Sequence, residues 1–128
     1  MNTDHRPVYI DLREINLPVS ALISITHRLA GMYVFFITLP LMLALIYFST
    51  ESEDSFNELS LFLRDHKFIL GLIVLSFCIL WYHILSGVRH LIMDAHIGES
   101  LLASKYSAIF IISFWTISTS LVFWKIFL

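Results

Sequence analysis

Residues 68–94 read FILGLIVLSFCILWYHILSGVRHLIMD. No charged side chain falls between Phe68 and Val88, and the interruption in that run is His83. A helix needs about 20 such residues to cross the hydrocarbon core of a bilayer. Residues 29–48 contain no charge either, and residues 106–124 form a third apolar run rich in Phe, Ile, Ser and Thr. Charges flank each run: Arg28 before the first, Lys67 and Arg89 around the second, Lys105 and Lys125 around the third. The expected fold is therefore an all-α membrane protein. It has an N-terminal cytoplasmic leader over residues 1–19 and transmembrane helices over about 20–48, 67–92 and 104–126, in one domain of 1–128. Three helices make a thin bundle, so the chain is expected to form part of a multi-subunit helical bundle.

Composition excludes the main alternatives. Of 128 residues, 58% are hydrophobic and 14% charged, with a mean hydropathy of +0.81. A soluble domain carries roughly 25% charged and about 45–50% apolar residues. A chain this small leaves much of its surface outside any core, which rules out a water-soluble enzyme, and the apolar excess rules out disorder. The net charge of −2 supplies no basic field, so nucleic acid is not an expected partner. Cys78 is the only cysteine, which excludes an intrachain disulfide and a Cys-based metal cluster.

The leader is too polar for a secretory signal, and the first apolar run is too long for a signal-peptide core. Arg6, Arg13, Arg28, Arg89 and Lys105 put five cations on one side, against Arg64, Lys67 and Lys125, three, beside the acidic residues Glu51, Glu53, Asp54 and Glu58 on the other. That bias predicts a cytoplasmic N-terminus. Pro18 with Ser20 suits a helix start at 18–20. Pro40 inside the first span predicts a kink, and a short amphipathic piece is expected over residues 56–63 of the polar connection.

Ionisable groups at hydrocarbon depth are costly and usually functional. With the second span centred near residue 80, His83 lies about 4–5 Å from the midplane. At about 100° per residue, Gly87, His90 and Asp94 share one stripe with His83, and Arg89 lies beside its inner end. A deep imidazole above a glycine suits a porphyrin iron: a ring nitrogen donates to the metal and the missing side chain makes room for the macrocycle. His90 and Arg89 then fall where haem propionates would end. The other reading is a packing histidine that hydrogen-bonds a neighbouring Ser or Thr. No second deep histidine exists, so a six-coordinate haem needs its other ligand from a different subunit. On the first helix, Ser24, Arg28 and Gly31 share a face, with His27 beside them. A hydroxyl, a fixed cation and an imidazole suit a quinone carbonyl, haem propionates, or a snorkelling membrane anchor. Trp81, Tyr82, Trp115 and Trp124 read as packing or interface residues, and Thr116, Ser118, Thr119 and Ser120 as interhelical hydrogen-bonding groups.

Two motifs carry a resemblance that covers almost the whole chain. The leader Arg6-Pro7-Val8, followed by Leu12, Pro18 and Ser24-Ile25-Thr26-His27-Arg28, and the later His83-x-x-x-Gly87-Val88-Arg89-His90-Leu91-x-Met93-Asp94, resemble the cytochrome b membrane-anchor subunits of succinate dehydrogenase. The resemblance implies that His83 is an axial ligand of haem b, shared with a second small membrane-anchor subunit that supplies the other ligand. It implies a ubiquinone site at Ser24 and Arg28, and places His27, Arg28 and His90 around the haem propionates. Asp94 matches a carboxylate at the boundary with the soluble part. The implied partners are that second subunit, an iron–sulfur subunit, a flavoprotein subunit that oxidises succinate, and the lipid bilayer. The implied location is the bacterial inner membrane, multi-pass. The chain itself is then no enzyme but an electron-transfer subunit that docks the catalytic subunits and passes electrons from succinate to ubiquinone. Alternatives are a haem-free structural anchor and the anchor of a fumarate reductase. Two departures from the family pattern stand out: Ala30 where Ser or Thr is usual, removing a hydroxyl near the quinone mouth, and His96 where a small residue is usual.

Overall fold

The computed structural model describes residues 17–127, all of whose regular elements are helical. The leader residues Arg6, Pro7, Val8, Leu12 and Arg13 lie outside the described residues. The elements are α1 (Val19–Tyr33), a π-helical turn (Val34–Thr38), α2 (Leu39–Thr50), α3 (Glu53–Asp65), α4 (Lys67–Asp94) and α5 (Leu101–Phe127). Three continuous helical stretches are long and apolar enough to span a membrane: Val19–Thr50, Lys67–Asp94 and Leu101–Phe127.

Pro40 explains the turn that divides the first span. Proline has no N–H to give the carbonyl four residues back, and its ring crowds that carbonyl. The helix widens just before it, and the Leu39 N–H reaches the Val34 carbonyl five residues earlier. The distortion expected from Pro40 thus takes the form of a π turn rather than a simple break. Thr38, at the end of this turn, is buried, and its hydroxyl has no partner among the described residues.

The polar connection folds into α3. Ser52 caps it, its side chain accepting from the Ser55 N–H at 3.1 Å. Glu53 and Asp54 in the first turn and Arg64 in the last complement the helix dipole. At the other end of the bundle, α4 finishes in paired backbone bonds, His96 N–H to Met93 O at 2.9 Å and Ile97 N–H to Ile92 O at 3.3 Å. This is a Schellman closure, with His96 in the left-handed region at φ 61°. Ser100 then opens α5, its Oγ accepting from the Ala103 N–H at 3.3 Å.

The core is small. Among the described residues, the buried hydrophobic side chains are Ile23, Ala30, Ile73, Val74, Cys78 and Ala108, and α5 buries only Ser104 and Ala108. Large side chains such as Phe36, Leu43, Phe110, Leu121 and Trp124 point outward. In water that surface would be untenable; lipid and neighbouring helices are what it fits. Polar bolts supplement the sparse packing. Trp115 Nε1 donates to the Cys78 carbonyl at 2.9 Å and Trp81 Nε1 to Ser118 Oγ at 3.0 Å, both joining α4 to α5. The Tyr33 hydroxyl lies 3.1 Å from Ser76 Oγ, joining α1 to α4.

Candidate functional site

The α1–α4 interface gathers three imidazoles inside the membrane span. His27 on α1 and His83 on α4 stack face to face, ring centroids 4.3 Å apart and planes 8° from parallel. His90 approaches His27 at 5.2 Å with its plane tilted by 49°. His83, Gly87 and His90 of the stripe anticipated from the spacing face α1, and His27 completes the group from across the interface; stacked on His83, it is a second histidine at that depth, where counting along each span alone predicts none.

Two glycines permit this closeness. A Cβ on Gly31 would sit 3.0 Å from His83 Cε1, and one on Gly87 would sit 3.2 Å from His27 Nε2. Helical spacing alone assigns Gly87 to making room beside His83; the structure gives that task to Gly31, while Gly87 makes room for His27. Each helix thus omits a side chain where the other inserts a ring.

The two ends of the cluster differ in how their polar atoms are satisfied. His83 Nδ1 lies 3.3 Å from the His27 carbonyl oxygen. In the tautomer that donates Nδ1–H to this carbonyl, Nε2 keeps its lone pair, the arrangement a metal-bound histidine uses. His90 Nε2 is buried with no partner among the described residues. An orphaned nitrogen in a low-dielectric interior costs on the order of 1–3 kcal/mol. It marks a place where a further polar group is wanted.

One hydroxyl contact ties α1 to α4 beside the rings, and a second braces α4 internally. Thr26 Oγ1 pairs with the Tyr82 hydroxyl at 2.5 Å, and Ser86 Oγ donates to the Tyr82 carbonyl at 2.7 Å. Tyr82 also meets Trp115 edge-on at 5.5 Å, so the contact runs on into α5. Thr26 and Tyr82 were not singled out for a site from their residue types. Their signal, a hydroxyl pair at matching depth on two spans, depends on knowing the helix pairing.

The remaining sequence-predicted residues are distributed less tightly. Ser24 is half-buried and Arg28 exposed, one turn apart on α1 beside His27. A groove of about 450 Å³ is lined by Leu22, Thr26, Tyr33, Tyr82 and Trp115 among others. It borders Thr26, about 200° round α1 from Ser24, so it is not the Ser24–Arg28 face. Asp94, at the end of α4, is exposed. Arg89, expected beside His90 at the propionate end, is turned the other way. It is 4% exposed and hydrogen-bonded to Ser104 and Ser107 of α5. Among the described residues, no group of three or more His, Cys, Asp or Glu side chains could hold a metal ion.

Comparison with known proteins places the chain among relatives. Residues 2–123 match the family model described as succinate dehydrogenase/fumarate reductase transmembrane subunit. The succinate dehydrogenase cytochrome b556 subunit of Coxiella burnetii is 35% identical over 111 residues, 85% of this chain and 88% of that one. The cytochrome b560 subunit of Porphyra purpurea is 38% identical over 94 residues, 71% of this chain and 73% of the relative. The b556 subunit of Paracoccus denitrificans is 32% identical over 100 residues, 77% and 74% of the two chains.

Proposed function

The chain belongs to the succinate dehydrogenase/fumarate reductase transmembrane subunit family, and from that premise we propose that it is the haem b-bearing membrane anchor of a succinate:ubiquinone oxidoreductase. The observation that carries the reading is the convergence of His27, His83 and His90 within the membrane span, with His90 Nε2 buried and unpaired among the described residues. Buried polar groups without partners are rare in a folded interior. One of them inside a cluster of three imidazoles on membrane-spanning helices favours a bound group over packing alone.

The residues present fit a haem whose iron would take one nitrogen from this chain. His83 would hold the iron through Nε2, with Nδ1 directed to the His27 carbonyl. His27, Arg28 and His90 would donate to the propionate carboxylates. A second nitrogen for the iron would come from the second small membrane-anchor subunit. When bound, haem b supplies a one-electron carrier whose potential depends on its axial ligands and surrounding hydrogen bonds.

Ser24 and Arg28 lie where α1 enters the membrane and bind ubiquinone. The serine hydroxyl donates to a quinone carbonyl oxygen, and the guanidinium stabilises the negative charge that develops there as electrons arrive. The iron–sulfur subunit delivers two electrons that the flavoprotein subunit has taken from succinate. Two protons enter from the cytoplasmic side, where the N-terminus lies, and the product is ubiquinol. The inner membrane is the site of this reaction.

A second reading, a haem-free anchor, draws on the His27–His83 stack, because a purely packing histidine would make the same contact. Reduced-minus-oxidised spectra of the purified complex, with haem quantified per complex, separate the two. A b-type spectrum that disappears in His83→Leu supports the haem reading; a complex with no haem supports the bare anchor. The family also includes fumarate reductase anchors, and quinone potential sets the direction of electron flow between them.

A further inference from the structure

Resting on the haem-anchor reading, we propose that Arg89 is a positioning residue whose guanidinium locks the rotation of α4 on α5 and thereby aims His90. Arg89 is 4% exposed and, among the described residues, hydrogen-bonds only neutral oxygens. Its Nε donates to Ser107 Oγ at 2.9 Å, and Nη2 donates to the Ser104 carbonyl at 2.9 Å and to Ser104 Oγ at 3.0 Å. Ser107 Oγ in turn donates to the Ser104 carbonyl at 3.1 Å. Both acceptors therefore sit on one rigid turn of α5, and the planar fork of the guanidinium matches them at two points.

The consequence lies one residue on. His90 follows Arg89 by about 100° round the helix. With Arg89 fastened to α5, His90 is turned toward α1, where its ring meets His27 and its Nε2 is buried without a partner. A rotation of α4 by about 10° would move a ring roughly 6 Å from the axis by about 1 Å, enough to spoil a hydrogen bond. The fork thus acts on the haem pocket from about 100° round the helix, with no contact to the haem required. A misdirected His90 leaves a propionate less well neutralised. The extra negative charge disfavours the reduced haem and lowers its midpoint potential.

The test uses the complete complex, purified with its other subunits, and reads haem content, midpoint potential by potentiometry and the low-spin electron paramagnetic resonance signal. In Arg89→Gln we expect haem to remain, its potential to fall and its low-spin signal to shift. Ser104→Ala combined with Ser107→Ala should move both readouts in the same sense but less, since the Ser104 carbonyl is retained. Adding the two serine changes to Arg89→Gln should move them little further. Arg89→Lys keeps the charge without the fork and should resemble Arg89→Gln. Wild-type behaviour in Arg89→Lys would assign the effect to charge and overturn the positioning role. So would wild-type potentials and signals in a haem-replete Arg89→Gln complex. If Arg89→Gln fails to assemble, the double serine variant decides, because it leaves Arg89 in place. A wild-type complex without haem would instead overturn the underlying reading.

Discussion

His83 and His27 lie ring on ring across the α1–α4 interface, 4.3 Å between centroids and 8° from parallel. Neither ring could approach so closely against an ordinary helix surface; Gly31 receives one and Gly87 the other. The contact joins the two sequence motifs, which lie more than fifty residues apart, into one site. It also makes His27 the neighbour through which any change at His83 is felt, since the His27 carbonyl faces His83 Nδ1 at 3.3 Å.

Replacing His83 by leucine separates ligation from packing. Leucine is welcome in hydrocarbon and keeps much of the buried volume, so the helix pair should persist. The b-type absorbance should be lost or strongly reduced, measured as a haemochrome per complex. His27→Asn, which removes a ring beside the proposed iron ligand but not that ligand, should retain haem. A His83→Leu complex with undiminished haem would remove the axial assignment.

Gly31→Ala tests the glycine seat. On an unencumbered helix the change would stabilise by about 1 kcal/mol. Here the new methyl meets His83 Cε1 at 3.0 Å, and overpacking of this kind typically costs about 1–3 kcal/mol. The crowding should win, displacing the imidazole, and appear as a shifted haem absorbance or low-spin signal with haem still bound. Gly87→Ala, which meets His27 at 3.2 Å, should perturb the same signals less because it moves the ligand's neighbour. Unchanged spectra in Gly31→Ala would show that the His83 ring does not occupy this seat in the assembled complex.

The spans were legible because hydrocarbon imposes a simple rule: a long uncharged run must become a helix. The His83, Gly87 and His90 stripe was legible for a similar reason, since the helical repeat alone puts these residues on one side. Pairing between helices was not. Whether Gly31 or Gly87 faces His83 depends on the relative height and rotation of two spans, and no spacing within one helix contains that information. Arg89 shows the same limit. From its own helix it borders the histidine stripe; only the serines of α5 reveal why it turns away. Pro40 signalled a distortion, while its form, a π turn in which the Leu39 N–H reaches the Val34 carbonyl, is not contained in the residue types. His96 occupies a left-handed helix end at φ 61°, a conformation that the residue type alone does not announce.

Arg28 and Ser24 are tested by the split between two assays. Arg28→Ala removes a charged hydrogen bond to a developing negative charge, a contribution of about 1.5–3 kcal/mol. Succinate:ubiquinone reductase activity should fall by roughly 10- to 100-fold. Ser24→Ala removes a neutral hydrogen bond of about 1 kcal/mol and should cost roughly fivefold. Succinate oxidation with an artificial dye acceptor should survive in both, because it bypasses the quinone. Parallel loss in the two assays would point to failed assembly of the catalytic subunits and remove the quinone assignment.

The turn between α4 and α5 offers a stability test away from the redox groups. His96 holds φ at 61° and Gly98 at 76°, both in the region where a Cβ is unfavourable. His96 Nδ1 contacts the Glu99 carboxylate, but the His96 side chain is 86% exposed, and exposed pairs contribute from nothing to about 1 kcal/mol. The backbone effect should outweigh the pair. His96→Gly should therefore raise stability by about 0.5–1 kcal/mol, and Gly98→Ala should lower it by about 1–2 kcal/mol. Denaturant or thermal unfolding of the detergent-solubilised complex measures both, with haem spectra expected to be unchanged. If His96→Gly proves less stable than wild type, the Glu99 contact dominates the turn and the left-handed closure is not where this helix end is strained.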